Sequence, residues 1–164
     1  MRAYAQGDGA AFEALFAALA PRVHAFFVRS FGAGPTADDL LQTTFLKVHD
    51  ARARYEAGRA VRPWVFGIAA RVRADELRRR YRIPPHESDE GIAERVLHEP
   101  RDPAEQREIT DRVRAAVDAL PEGQRVVVLL HRFEGLSFRE VGEALGIAEG
   151  TVRVRAFRAY QTLR

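Results

Sequence analysis

Apolar residues recur at helical spacing along most of this chain. They lie three and four positions apart within residues 10–31, and the same spacing returns over 63–82 and again from Ile109 onward. The run Val126–Leu130 is β-branched enough for a strand, but it follows "PEGQR", a typical helix start, and no pairing partner is visible. The pattern therefore predicts an all-α fold.

Prolines and small polar residues predict where these helices begin and end. Pro21 is expected to mark a break in the first amphipathic stretch. Thr36 is a candidate cap for the helix through "LLQTTFLKVHDA", with Asp38 and Asp39 in its first turn, where the helix dipole favours acids. Pro63 suits the first turn of a long helix that continues to Arg82.

The stretch Ile83–Glu108 interrupts the helical pattern. It holds four prolines and eight acids and predicts a linker, with one short helix near Ile92–Leu97. Two small helical domains are therefore expected, at residues 1–82 and 109–164, joined by an acidic, proline-containing linker at 83–108.

Composition excludes several functional classes. The chain is 46% hydrophobic and 30% charged, as an ordinary globular protein is, and it has no cysteine for disulfides, thiolate zinc sites or nucleophiles. Its longest apolar runs are shorter than a membrane span and no signal peptide is evident, so a cytoplasmic protein without membrane insertion is expected. The sequence has no P-loop or dinucleotide turn, and its five histidines lack metal-ligand spacing. No catalytic site, metal or cofactor is expected.

The net charge of +3 is unevenly distributed. Residues 1–82 carry a balance of +6, residues 83–110 a balance of −5, and residues 111–164 a balance of +2. Almost every cation is arginine, since Lys47 is the only lysine. Two basic blocks around an acidic stretch indicate a polyanionic partner such as nucleic acid, although solvated helix faces would give the same balance.

The last thirty residues, "GLSFREVGEALGIAEGTVRVRAFRAYQTLR", predict two short helices joined by a glycine turn. Ser137 and Glu140 form a capping box for the first helix, and Gly146 can adopt the left-handed conformation that ends it. The second helix buries an apolar side and is expected to leave Arg153, Arg155 and Arg158 free. This pattern is typical of a helix-turn-helix whose second helix enters the major groove, or of a plain antiparallel helical pair.

Four segments carry a resemblance to a known family. "ALPEGQRVVVLLHRFEGLSFREVGEALGIAEGTVRVRAFRA" resembles region 4 of bacterial sigma factors, and less specifically the hairpins of response and quorum-sensing regulators. "GDGAAFEALFAALAPRVHAFFVR" is similar to the opening helix of region 2, "PTADDLLQTTFLKV" to region 2.2, and "RPWVFGIAARVRADELRRR" to regions 2.3 and 2.4. With no region 3 between them, the whole chain resembles the extracytoplasmic-function (ECF) group.

The resemblance implies a transcription initiation factor that binds core RNA polymerase, reads the −35 and −10 promoter elements and helps melt the −10 DNA. Its implied partners are promoter DNA, the β′ coiled coil and β flap of polymerase, and an anti-sigma factor. The implied −35 residues are Arg132, Ser137, Arg139, Thr151, Arg153, Val154, Phe157 and Arg158. The implied −10 residues are Tyr55, Arg62, Arg71, Asp75, Arg78 and Arg79. The implied polymerase-binding residues are Asp38, Asp39, Leu40, Gln42, Phe45 and Leu46, a mixture of charge and apolar anchors that suits a protein interface.

The chain departs from the family pattern at several positions. Thr43 replaces the usual acid, Arg71 the usual asparagine, Ala148 a capping serine and Val154 another serine. Val154 offers an apolar contact to a thymine methyl group in place of a hydrogen bond. Two other hypotheses remain open: a stand-alone helix-turn-helix regulator that binds duplex DNA without polymerase, and an adaptor whose sigma-like surfaces no longer touch DNA.

Overall fold

The computed structural model describes residues 1–81 and 105–164, and within these ranges every regular element is helical. The all-α prediction is confirmed, whereas the short helix expected at 92–97 lies outside the described residues. The helices are α1 (Arg2–Ala5), α2 (Gly9–Phe31), α3 (Pro35–Ala51) followed by a 3-10 turn (Arg52–Arg54), α4 (Val61–Tyr81), α5 (Glu105–Asp118), α6 (Glu122–Val128) followed by a π-helical turn (Leu129–Phe133), α7 (Phe138–Leu145) and α8 (Glu149–Thr162).

Helices α2, α3 and α4 form the N-terminal bundle around fully buried aromatic and aliphatic side chains. Phe26 and Phe27 of α2 meet Val48 of α3 and Phe66 of α4 there. The predicted break at Pro21 is wrong, because α2 runs through it unbroken. An interior proline costs about 3 kcal/mol, but burial of the apolar residues on the following turns holds the helix together.

The start of α3 also differs from the prediction. The helix begins at Pro35, after Gly34 with φ of 147°, and no side chain caps it. Thr36 lies inside the helix, where its hydroxyl accepts a hydrogen bond of 3.0 Å from Arg80 at the end of α4. Asp38 occupies the first turn, as expected, whereas Asp39 lies beyond it.

Helix α2 is long and apolar enough, by length and composition alone, to cross a membrane. This corrects the expectation that no stretch would reach that length. Its buried residues, among them Leu19, Val23 and Phe26, form part of the bundle core.

The C-terminal helices follow the sequence signals closely. α5 begins at Glu105, four residues before the helical pattern was expected to resume. Both hydrogen bonds of the Ser137–Glu140 capping box are present, and Gly146 ends α7 with φ of 70°. Arg125 of α6 is buried and donates to carbonyls at the end of α5, including that of Leu120 at 3.1 Å. Burial lowers the pKa of its guanidinium, although these carbonyls satisfy its donors.

Candidate nucleic-acid and polymerase interfaces

Helix α8 exposes two large apolar side chains, Val154 and Phe157, among polar neighbours, and this pair is called the apolar ridge below. Val152, Ala156 and Ala159 fix the buried side of the helix. At 100° per residue, the direction opposite to them falls between Val154 and Phe157, which are 49% and 64% exposed. Exposed apolar side chains that adjoin one another are candidates for contact with a partner, whereas isolated ones are ordinary. The centre of the exposed face of α8 is therefore apolar.

The arginines of α8 are less available than predicted. Arg153 lies 2.5 Å from Glu149 and stacks over the Phe138 ring, with its guanidinium carbon 5.2 Å from the ring centre. Arg155 is only half exposed, and its guanidinium packs beside Gly123 of α6. The expectation that three arginines are free is wrong for these two. Arg158 is exposed on the flank of the ridge.

The other residues predicted for the −35 element surround α8 unevenly. Thr151 is exposed in its first turn, and Ala148 supplies no side-chain cap, as its sequence implies. Ser137 is engaged in the capping box, whose backbone and hydroxyl hydrogen bonds lower the pKa of Glu140. Arg139 is exposed and lies 3.6 Å from Glu143.

Arg132 lies elsewhere, in an apolar cleft between α5, α6 and α8 that sequence reasoning missed. The cleft has a volume of about 440 Å³ and is lined by Val113, Val117, Val128, Arg132, Phe133, Tyr160 and Leu163. Val113 and Phe133 expose much of their apolar surface there, and burial raises the pKa of Tyr160. The helical spacing of Val113 and Val117 was visible in the sequence, but it indicated only a core face.

The residues predicted for the −10 element follow one edge of α4. Arg71, Asp75 and Arg78 line a cleft of about 670 Å³ between α3 and α4 on one side and α6 and α7 on the other. Asp75 lies 2.5 Å from Arg78 and 3.6 Å from Lys47, so its carboxylate is already neutralised by two cations. The edge is therefore positively charged overall.

An aromatic pair lies at the start of α4, near the same cleft. The rings of Tyr55 and Trp64 meet edge to face, with centroids 5.1 Å apart. The Tyr55 hydroxyl donates to the Arg59 carbonyl, which holds the loop before α4. Trp64 is partly buried, packs against the core and also lines the cleft.

Two further residues predicted for the −10 element have different surroundings. Arg79 is mostly exposed and lies 2.8 Å from Glu76. Burial of Glu76 opposes its ionisation, but hydrogen bonds from Arg79 and Arg80 prevail and lower its pKa. Arg62 points away from this edge and donates to the backbone carbonyl of Glu134 in the C-terminal half. The structure thus does not bring Arg62 together with Arg71 and Arg78.

The predicted polymerase-binding surface on α3 is only partly exposed. Asp38, Asp39 and Gln42 are exposed, and Leu46 is 67% exposed. Leu40 and Phe45 are buried, the latter with 4% exposed, so their assignment to an interface is wrong. On an amphipathic helix some apolar positions must face the protein's own core, and periodicity alone does not say which.

Comparisons with known proteins agree with this arrangement. Residues 15–83 match the family model for sigma-70 region 2, and residues 110–163 match that for sigma-70 region 4. The chain is 40% identical over 166 residues to RNA polymerase sigma factor CarQ of Myxococcus xanthus, covering 100% of this chain and 93% of that protein. It is 32% identical over 158 residues to ECF RNA polymerase sigma factor SigF of Caulobacter vibrioides, covering 96% and 86%.

A solved structure shares the fold. The sigma factor RpoE of Bartonella quintana, crystallised with the anti-sigma factor NepR, superposes with a TM-score of 0.73 at 22% identity, covering 93% of each chain. The fold and its surfaces define a two-domain, helical DNA-binding protein. The chain belongs to the ECF group of the sigma-70 family and is a transcription initiation factor that directs RNA polymerase to promoters.

Proposed function

We propose that this protein grips a promoter at two points while bound to core polymerase, with α8 on the −35 element and the α4 edge on the melted −10 strand. The observation that carries the proposal is the presence, on separate helices of one chain, of a helix-turn-helix with an exposed α8 and an arginine-lined α4 edge. A stand-alone duplex-binding regulator would need only the first of these.

The α4 edge suits single-stranded DNA. Arg71 and Arg78 can follow the phosphates of an unpaired strand, and Tyr55 with Trp64 offers aromatic surface on which a base can stack. Stacking contributes roughly 1–3 kcal/mol per base, which is comparable with the few kcal/mol needed to extrude one. Arg79 can reach a further phosphate because its side chain is mostly exposed.

The α8 surface suits the major groove of duplex DNA. Val154 and Phe157 lie centrally for apolar contacts with base edges, while Thr151 and Arg158 flank them and can reach phosphates. Arg153 retains a position near the groove but must exchange its contact with Glu149 to reach a base. Specificity at −35 therefore rests on apolar contacts more than on guanine-reading arginines.

Two surfaces are assigned to polymerase. Leu46, Gln42, Asp38 and Asp39 form an exposed apolar and acidic patch on α3, which we assign to the β′ coiled coil. The apolar cleft around Phe133 is large enough for a protruding apolar side chain of the β flap. Neither surface is needed by a regulator that acts without polymerase.

The remaining expectations concern partners and location. The homologous fold of RpoE is bound by an anti-sigma factor, and a comparable protein partner is proposed here, with action in the cytoplasm. No catalytic centre and no cofactor are proposed.

The proposal is tested by run-off transcription with purified core polymerase on a promoter library. Transcripts that depend on the protein, and are lost with Arg71→Ala combined with Arg78→Ala but retained with the exposed control Arg54→Ala, are expected. Tight binding of duplex DNA by the protein alone, without stimulation of transcription, would favour the stand-alone regulator. Absence of both activities would favour the adaptor hypothesis.

A further inference from the structure

We propose that Glu149 is a specificity-determining residue of α8, which holds Arg153 in place and releases it only to a guanine that has a cytosine beside it. The inference rests on the proposed function, since it concerns the surface assigned to the −35 element, and it adds the base preference that this surface should show. The ion pair between Glu149 and Arg153, together with the Phe138 ring that Arg153 covers, is called the latch below.

The ion pair of the latch lies on the first two turns of α8. Glu149 is the first residue of the helix, where the helix dipole favours an acid, and Arg153 lies about one turn further on. Both Nε and Nη2 of Arg153 donate to Oε1 of Glu149, at 3.1 and 2.5 Å. An acid followed four residues later by a cation is the favourable order for such a pair on a helix. The pair therefore holds the guanidinium in one orientation.

The Phe138 ring provides a second contact for the same guanidinium. Its centre lies 5.2 Å from the guanidinium carbon of Arg153, a distance at which a cation is attracted to an aromatic ring. Phe138 is the first residue of α7 and packs against the core, and its ring lies 4.2 Å from that of His131, measured between centroids. The His131 ring is held in turn, because its Nδ1 donates to the Leu136 carbonyl at 2.7 Å. Arg153 is therefore positioned by α7 as well as by α8.

The latch is exposed, so DNA can compete for its members. The side chain of Arg153 is 62% exposed and that of Glu149 is 40% exposed. An exposed ion pair and an exposed cation–π contact each shift an equilibrium by about fivefold at most. A bidentate contact between arginine and guanine discriminates against the wrong base by about 5- to 150-fold. The two effects are comparable, so guanine can take Arg153 from the latch, whereas a base without this pair of acceptors cannot.

Opening of the latch separates the Glu149 carboxylate from its cation while it faces DNA. Cytosine offers this carboxylate a donor in the major groove, its N4 amino group, whereas the amino group of adenine lies beside the N7 acceptor, which repels an acid. The first residues of a recognition helix are those that reach base edges. Glu149 and Arg153 are about 6 Å apart along the helix, which is less than two base-pair steps of about 3.4 Å. The cytosine is therefore expected in the same base pair as the guanine or in the next one.

The latch also lowers the affinity for other sequences. An arginine without a partner at this position would bind any phosphate, which adds affinity but no sequence information. While Glu149 neutralises Arg153, this indiscriminate attraction is weaker. Specificity at −35 thus comes from the contact that Glu149 withholds as well as from the one that Arg153 makes.

The experiment selects promoters that differ only in the −35 window by their binding to holoenzyme made with each variant. Glu149→Gln removes the charge of the acid and keeps its shape, and Arg153→Ala removes the cation. Glu143→Gln is the matched control, since Glu143 on α7 is also an exposed acid that lies 3.6 Å from an arginine four residues away, Arg139. Thermal unfolding of each free variant checks that the fold is retained.

The unmodified protein should select a guanine together with a neighbouring cytosine. Glu149→Gln should raise the preference for that guanine about two- to fivefold and lose the preference for the cytosine. Arg153→Ala should lose the guanine preference and keep that for cytosine, because no cation then competes for the carboxylate. Glu143→Gln should tighten binding to all sequences alike, because its lost charge acts on phosphates wherever they lie.

The inference would be overturned if Glu149→Gln selected the same bases as the unmodified protein, or changed affinity uniformly as Glu143→Gln does. In either case the proposed function would stand, because the holoenzyme would still prefer particular −35 sequences. A holoenzyme that shows no preference anywhere in the −35 window, with the unmodified protein or any variant, would instead refute the assignment of α8 to that element, and the latch with it.

Discussion

The apolar ridge of α8 makes a quantitative prediction about how the −35 element is read. Phe157 is 64% exposed, which corresponds to about 130 Å² of an aromatic side chain of about 200 Å². If DNA covers half of that area, at about 25 cal/mol per Å² the contact contributes about 1.6 kcal/mol, or about fifteenfold in affinity. Val154, contacting one thymine methyl group, should contribute about 0.8 kcal/mol, or about fourfold.

The assay compares holoenzyme binding to a promoter selected from a library and to the same promoter with deoxyuridine replacing thymidine in the −35 window. Removal of the methyl groups should weaken binding by the unmodified protein about fourfold for each contacted thymine. Phe157→Ala should weaken −35 binding about fifteenfold, with little change in affinity for core polymerase.

Phe133→Ala supplies the matched control, since this phenylalanine is also exposed but lies in the cleft assigned to the β flap. It should lower polymerase affinity and leave the preference for thymine over uracil intact. Equal binding of the unmodified protein to the thymidine and deoxyuridine promoters, or −35 binding by Phe157→Ala as tight as that of the unmodified protein, would refute apolar reading by α8.

Three further predictions concern other residues. Leu46→Glu should abolish polymerase binding with little effect on stability, whereas Phe45→Ala should destabilise the protein by about 3–5 kcal/mol. Thermal unfolding measures the loss of stability, and a pull-down with the β′ coiled coil measures polymerase binding. If both variants lost binding and stability alike, the assignment of Leu46 to the interface and Phe45 to the core would be contradicted. Arg158→Ala should weaken −35 binding without changing core-polymerase affinity, and equal loss of both would contradict its place on the DNA face. The pKa of Glu140 is lowered by its hydrogen bonds with Ser137. The capping box should therefore stabilise α7 fully at pH values above the usual glutamate pKa, and this stabilisation should be lost as the pH falls through the lower pKa of Glu140 in the folded protein. Glu140→Gln should flatten this pH dependence in thermal unfolding, and an unchanged profile would refute it.

Local signals in the sequence determined much of the fold. The Ser137–Glu140 box and Gly146 were identifiable because capping and left-handed glycine act within a few residues. The helical character of Val126–Leu130 followed from its start at "PEGQR". Pro21 and Thr36 misled the prediction because their local tendencies were overridden by packing of α2 and by the contact between Thr36 and Arg80.

The sequence identified candidate site residues by their type, but only the structure shows which of them are exposed. Leu46 and Phe45 are neighbours of similar hydrophobicity, and only the packing of α3 decided that one faces solvent and the other the core. Likewise, the sequence supplied the arginines of α8, but the tertiary structure assigned Arg153 to Glu149 and placed Val154 and Phe157 at the centre.

The sequence by itself determined the class of protein and most of the helices, and it predicted two DNA-facing surfaces, because periodicity, caps and motifs are local. The tertiary structure alone decided how the halves meet, because contacts such as Arg73 with Glu122 and Gly67 with Ala144 join positions far apart in the chain. A buried arginine and a helical glycine have no distinct local pattern. Their role is set by what the fold brings against them.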